Sequence, residues 1–255
     1  MMSKVIAVSG KGGTGKSILC ALLIKKLISI DKYKILAIDA DPTRGLSRTL
    51  GIEEVTRTLE EVRNKIINVG ATGDDEIKYQ LIHTLPNRIL EVLNQQDGFS
   101  IIAMGQPKTT GCFCPANTVL RNAIKFLLDK FDIIIIDCEA GLEQINRKVI
   151  HNVDTLLIIT DPSKRGFQTA CSLKEMGLKY TKAKNIGLIV NRVKTKSKIL
   201  IKNAKSLDID IYGFIPEDNN ISEFDMLGKS LLNLPDETSS LKAMDSILKH
   251  LLGDL

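Results

Sequence analysis

The sequence predicts a single α/β domain built on a mostly parallel, doubly wound sheet with helices on both faces. Two observations predict it. Short aliphatic runs alternate with helical patterns along most of the chain, and near-continuous apolar strands separated by helices mark a parallel sheet covered on both sides. No Pro- or Ser-rich linker divides the 255 residues, so residues 1–255 read as one domain. That length, with 44% hydrophobic and 25% charged residues, is ample for one large core.

The elements follow in order. "KVIAVSG" (4–10) is β-branched and bounded by glycine, as a buried strand should be. "GKSILCALLIKKLISI" (15–30) reads as a helix. Further strands are expected at 33–41, 99–105, 131–141, 154–162, 185–193 and 209–218. Helices are expected near 115–130, 143–151, 165–180, 196–206 and 237–253. Region 53–97 is the least regular and reads as a helical excursion at the sheet edge. Repeats and low-complexity tracts are absent from the sequence.

Composition narrows the function classes. The formal net charge of +5 is mild and fits phosphate ligands or solubility without implying nucleic acid. Aromatic residues are 4% and Trp is absent, which argues against a base-stacking surface. No apolar run approaches the roughly 18 residues of a membrane helix. "MMSKVIAVSG" runs into a glycine loop and not into a cleavage site. The expectation is a cytoplasmic protein, where close cysteine pairs serve more often as metal ligands or redox groups than as disulfides.

"GKGGTGKS" supplies the strongest motif. Gly10, Lys11, Gly12, Gly13, Thr14, Gly15, Lys16 and Ser17 satisfy G-x-x-x-x-G-K-[ST] between a predicted strand and a predicted helix. Glycines let consecutive backbone N–H groups turn inward around a phosphate, and the helix start adds its positive end. Lys16 is expected to reach the β- and γ-phosphates, Ser17 to offer its hydroxyl to Mg²⁺, and Ile18 to complete the nucleotide-binding segment.

With Lys11 inside the loop, "KGGTGKS" resembles the deviant phosphate loop of one ATPase branch. That branch includes the nitrogenase iron protein, the division-site and plasmid-partition ATPases, the arsenite-pump ATPase and metal-insertion ATPases. The resemblance implies a homodimer closing over ATP, with Lys11 reaching the partner's nucleotide as a cation supplied in trans. It implies that Asp41 of "AIDADP" orients or deprotonates the attacking water and contributes to the Mg²⁺ site, with Asp39 organising Mg²⁺ or the switch loop. It also implies that Asp137, at the tip of "IIIID", holds a Mg²⁺-bound water, although an acid after an aliphatic strand is also an ordinary helix cap.

Base choice follows from "NRVK". Guanine binders need a carboxylate acceptor at its last position, and Lys194 is a donor. The resemblance places Asn191 and Arg192, with Ile215, Pro216 and Glu217 of "FIPED", against adenine, which favours ATP and ADP.

"TTGCFCPAN" (109–117) is expected to be an interface loop. Cys112 and Cys114 resemble the C-x-C pair of the ATPases that mature carbon monoxide dehydrogenase, the CooC type. Iron-protein relatives need a second cysteine seven residues after the acid matching Asp137, and Gln144 stands there. Two thiolates fill half of a tetrahedral site, and a two-fold dimer supplies the other half. Such a site takes Ni²⁺ or Zn²⁺, and the implied client is carbon monoxide dehydrogenase or a related nickel enzyme. A local disulfide, redox use and a chance pair stay open on the residues alone. Cys20, Cys138 and Cys171 read as packed structural thiols.

Three other classes compete. "SLKAMDSILKHLLGDL" (240–255) carries an apolar stripe that fits either a membrane-surface helix or a final helix packed on the sheet, and the second is favoured. "KTKSKILIKNAK" (194–205) has five lysines, as a DNA-binding partition ATPase would, and reads as a solvated helix face. An amidoligase of the cobyrinate type would need a glutaminase domain, for which the chain has no room. His83, His151 and His250 fit no ligand spacing.

Overall fold

The computed structural model describes residues 3–55, 57–105, 129–138 and 153–253, together with Lys125 and Leu127; the side chains of 71, 72 and 82 are left aside. Among the described residues eight strands form one sheet: β1 (Lys4–Gly10), β2 (Ile35–Asp39), β3 (Asn94–Gln96), β4 (Phe99–Ala103), β5 (Ile133–Asp137), β6 (Thr155–Thr160), β7 (Asn185–Val193) and β8 (Asp210–Pro216). Their order is β3-β4-β2-β5-β1-β6-β7-β8. All neighbours are parallel except β3 and β4, which form a hairpin through Asp97–Gly98, with Gly98 at φ +78°. The expected strands are present, β1 and β7 with the expected bounds and the others with trimmed ends; β3 is an added strand at the end of the region expected to be helical, and the fold class is the one the alternation implies.

Chain order reverses around β1. From it the chain crosses to β2 and β4 on one side, fills the gap with β5, then continues to β6, β7 and β8 on the other. Ligands of open α/β sheets bind at such a reversal, beyond the carboxyl ends of the strands. Gly10, Asp39 and Asp137 all end there, with Asp39 and Asp137 paired in register.

α1 (Lys16–Ile30) lies on one face. It buries residues around most of its circumference, including Leu19, Leu22, Leu23 and Leu27. A helix apolar on all sides must be covered on all sides. The sheet covers one side of α1, and α8 (Ser239–Leu252) and a 3-10 turn (Leu231–Asn233) help cover the rest. The apolar stripe of α8, Leu241, Met244, Ile247, Leu248 and Leu251, is buried in the same cluster. The final helix is therefore a core element.

The opposite face carries α3 (Leu59–Thr72), α4 (Asp75–Glu91), α5 (Lys164–Tyr180) and α6 (Lys198–Lys205). Residues 53–97 contain α3 and α4, whose Leu59, Val62, Ile66, Leu85 and Ile89 join Leu36, Ile38 and Ile102 in the core. Asp74 caps α4 by accepting from Ile77 N at 2.8 Å. Among the described residues no helix is long and apolar enough to cross a membrane. Two short helices escape sequence periodicity: α2 (Gly45–Thr49) and α7 (Asn219–Met226).

Candidate nucleotide site

The loop after β1 returns on itself through local contacts. Thr14 donates its N–H (3.3 Å) and its hydroxyl (2.8 Å) to the Lys11 carbonyl, and Lys16 Nζ donates to the same oxygen at 3.4 Å. Gly13 and Gly15 sit at φ +81° and +94°, where a side chain is strained. A Cβ on Gly10 would lie 2.4 Å from the Ile159 carbonyl of β6, so only glycine lets the loop start against the neighbouring strand. Gly15 caps α1 without any side-chain partner, leaving the first N–H groups of the helix to a ligand.

Lys16 is buried at 8% exposure, while Lys11 is exposed. Asp161, just beyond β6, lies near both Lys11 and Arg192. Burial raises its pKa, but hydrogen bonds from Ser163 and those two cations bring it below the usual carboxylate range.

Three acids face the loop from the strand ends. Ser17 Oγ donates to Asp137 Oδ2 at 2.5 Å, while Asp137 Oδ1 is buried with no partner. Burial, opposed by the Ser17 bond, pushes Asp137 up to about 7. Asp39 Oδ2 accepts from Ser47 N (2.8 Å) and Ser47 Oγ (2.7 Å) of α2, and its Oδ1 is likewise buried and unpartnered. Burial raises the Asp39 pKa as well. Two adjacent carboxylates, each with an orphaned oxygen beside a hydroxyl, fit a hard divalent cation such as Mg²⁺ in their donor chemistry. Asp41 lies outside the strand, where its Oδ1 accepts from Thr43 N (2.8 Å) and Thr43 Oγ1 (2.7 Å). That turn follows the end of β2.

A cleft of about 700 Å³ opens over the loop. Gly12, Gly13, Gly15, Lys16, Ser17, Ile18, Asp41 and Arg192 line it, whereas Gly10, Lys11 and Thr14 belong to the loop without lining the cleft. Asn191 is buried, and its Nδ2 donates to the Thr14 carbonyl at 2.8 Å. One N–H of its amide is thus committed to the loop. Ile215 is 2% exposed in the core, so a base contact there would come from its backbone. Pro216 pairs with Val193, and Glu217 bonds to Lys194 at 3.5 Å; neither lines the cleft.

The cleft also takes Gly45, Arg48, Asp225, Gly228 and Lys229, which sequence reasoning missed. Gly45 carried a readable signal. A Cβ there would lie 2.9 Å from Ser17 Oγ, so the glycine of "TRGLS" marks a close approach of α2 to α1.

Cys112, Cys114 and Gln144 lie outside the described residues. Among the described residues no group of three or more His, Cys, Asp and Glu forms a metal-binding cluster. Cys20 and Cys138 are buried, and burial pushes the Cys138 thiol up to about 12, which suits a packed strand end. Cys171 corrects the reading of three packed thiols: it is exposed on α5.

Comparison with known proteins gives the family. Residues 5–231 match the CobQ/CobB/MinD/ParA nucleotide binding domain. An uncharacterized ATP-binding protein of Methanocaldococcus jannaschii is 36% identical over 251 residues, covering 98% of each chain. The carbon monoxide dehydrogenase accessory protein CooC of Rhodospirillum rubrum is 30% identical over 249 residues, covering 90% of this chain and 89% of the relative. The septum site-determining protein MinD of Pyrococcus horikoshii, solved with Mg-ADP, superposes with TM-score 0.71 at 22% identity, covering 99% of this chain and 97% of the other. The chain is a P-loop ATPase and belongs to the CobQ/CobB/MinD/ParA nucleotide-binding domain family.

Proposed function

We propose that this chain is an ATP-dependent homodimeric metallochaperone that takes Ni²⁺ or Zn²⁺ as cargo and assists nickel insertion into carbon monoxide dehydrogenase or a related nickel enzyme. The observation that carries the reading is the combination, in one chain, of this site with the Cys112-Phe113-Cys114 triplet. β4, the strand that precedes the triplet in sequence, ends at Ala103 on the carboxyl side of the sheet, as β1 does before the phosphate loop. The 30% identity to CooC, an accessory protein of carbon monoxide dehydrogenase, supports the client.

In this reading Gly10 to Ile18 cradle the phosphates, and Lys16 neutralises their charge. Ser17 and Asp137, with Asp41 directly or through water, would hold Mg²⁺, which supplies charge neutralisation on the β- and γ-phosphates of ATP. Asp41 positions the attacking water and takes its proton as the bond to ADP breaks. Lys11 acts across the dimer. Asn191 and Arg192, with the backbone at Ile215, Pro216 and Glu217, hold adenine. Cys112 and Cys114 of both copies give four thiolates, so cargo binding and dimer formation favour each other.

A positioning switch of the MinD or ParA kind is the alternative. A membrane version would require a free amphipathic face, and α8 already spends its apolar stripe in the core. The deciding experiment titrates reduced, anaerobic protein with Ni²⁺ or Zn²⁺, with and without ATP, and reads metal content and size together. One metal per dimer, lost in C112S/C114S, is expected. A metal-free dimer with full ATPase activity, or metal retained by the double variant, overturns the proposal.

A further inference from the structure

Charge is distributed unevenly along this chain. Of its 35 Lys and Arg, twelve fall in residues 163–206; of its 30 Asp and Glu, only Glu175 does. The remainder of the chain is net acidic. Residues 163–206 comprise α5, β7 and α6, which lie together toward the β8 end of the sheet. Flanking acids neutralise three of the cations: Lys174 by Asp208, Lys184 by Asp154 and Lys194 by Glu217. Lys164, Arg165, Lys182, Lys198, Lys202 and Lys205 have no acidic partner within salt-bridge distance among the described residues.

The same region also exposes aliphatic side chains. Ile199 is 73% exposed and Leu178 65%. Between α5 and α6 runs a groove of about 440 Å³, lined by Lys164, Phe167, Cys171, Asn203 and Leu207. The spacing of α6 sorts its residues. Leu200 and Ala204 turn into the core, Lys198, Lys202 and Lys205 form one outer stripe, and Ile199 shares a side with Asn203, a groove residue.

We infer that the α5–α6 face is a docking surface for an acidic protein segment that seats an aliphatic side chain in the groove. Charge complementarity selects the acid, and the groove with Ile199 beside it selects an apolar anchor. A nucleic-acid backbone would satisfy the cations but leave the groove and aliphatics without a partner. Stacking aromatics are scarce here, with Tyr180 only 37% exposed. This inference does not depend on the cargo metal, because none of its residues belongs to the nucleotide or cysteine sites.

The test uses the full chain and a fluorescent synthetic peptide with two leucines set between runs of glutamate. Anisotropy is read at low and at physiological salt. Binding is expected to weaken with salt, by about tenfold or more in K198E/K202E/K205E, and by about threefold in I199S or when the peptide leucines become serine. Peptide should slow alkylation of Cys171, followed by mass spectrometry, while ATP hydrolysis stays unchanged in both variants. Absence of peptide binding, equal binding by the triple variant, unprotected Cys171, or tighter binding of duplex DNA or of anionic phosphatidylglycerol vesicles each overturns the inference.

Discussion

Asp137 and Asp218 share a sequence context and differ in almost everything else. Each stands at or just past the end of an aliphatic strand, Asp137 closing β5 and Asp218 following β8. Both are buried. Asp218 accepts from Asn220 N (3.1 Å) and Nδ2 (2.9 Å), Ser239 Oγ (3.1 Å), Ser240 N (3.0 Å) and Ser240 Oγ (2.7 Å). Burial raises its pKa, but these bonds outweigh burial and bring it to about 2. Asp137 has the Ser17 hydroxyl and an orphaned oxygen, and burial takes it to about 7. A saturated carboxylate ties α7 to α8, whereas the unsaturated one keeps the open oxygen that the proposed Mg²⁺ role requires. Hydrogen-bond satisfaction, and not the acid-after-strand pattern, separates the structural cap from the site.

Substituting each acid breaks this comparison in opposite directions. If Asp137 helps hold Mg²⁺ as proposed, D137N is expected to lower kcat/KM for ATP hydrolysis by about 1,000-fold, since it would remove a negative charge from the proposed cation site. Steady-state phosphate release measures this. D218N should leave the same quantity within about threefold.

Stability should respond the other way. The folded pKa of Asp137 is raised, so its neutral form favours the fold. Its contribution is fully present below about pH 4 and lost as pH rises toward 7. Without nucleotide or Mg²⁺, D137N should therefore match wild type at pH 4 and exceed it by about 2–4 kcal/mol at pH 8 in urea unfolding. The folded pKa of Asp218 is depressed, so its contribution is present above about pH 4 and fades as pH falls toward 2. D218N should cost about 2 kcal/mol at pH 7 and progressively less in acid.

Smaller effects sharpen the contrast at Asp39. S47A removes one of the two hydrogen bonds that α2 gives this buried carboxylate. It should lower stability by about 1 kcal/mol, read as a shift in the unfolding midpoint at unchanged denaturant slope.

The phosphate loop was legible because its demands are local. Gly10, Gly13 and Gly15 answer backbone constraints within eight contiguous residues. The sheet was legible for a related reason: β1, β5 and β6 are buried on both faces and read as unbroken aliphatic runs. α2 was not, since five residues carry no helical period and Ser47 matters only through Asp39. Asp225 and Lys229 reach the cleft from the far end of the chain, across a strand order that local patterns do not encode. The exposure of Cys171 was within reach, because Phe167, Ala170 and Leu173 mark the buried side of α5 and Cys171 lies off it.

The central claim is that Asp137 waits for a cation delivered with ATP. Calorimetric titration with Mg²⁺ and a non-hydrolysable ATP analogue at pH 7, repeated in two buffers of different ionisation enthalpy, counts the protons released on binding alone. A group poised near pH 7 that becomes a cation ligand should release about half a proton per chain in the wild type and none in D137N. Equal proton release by the two proteins would contradict the account.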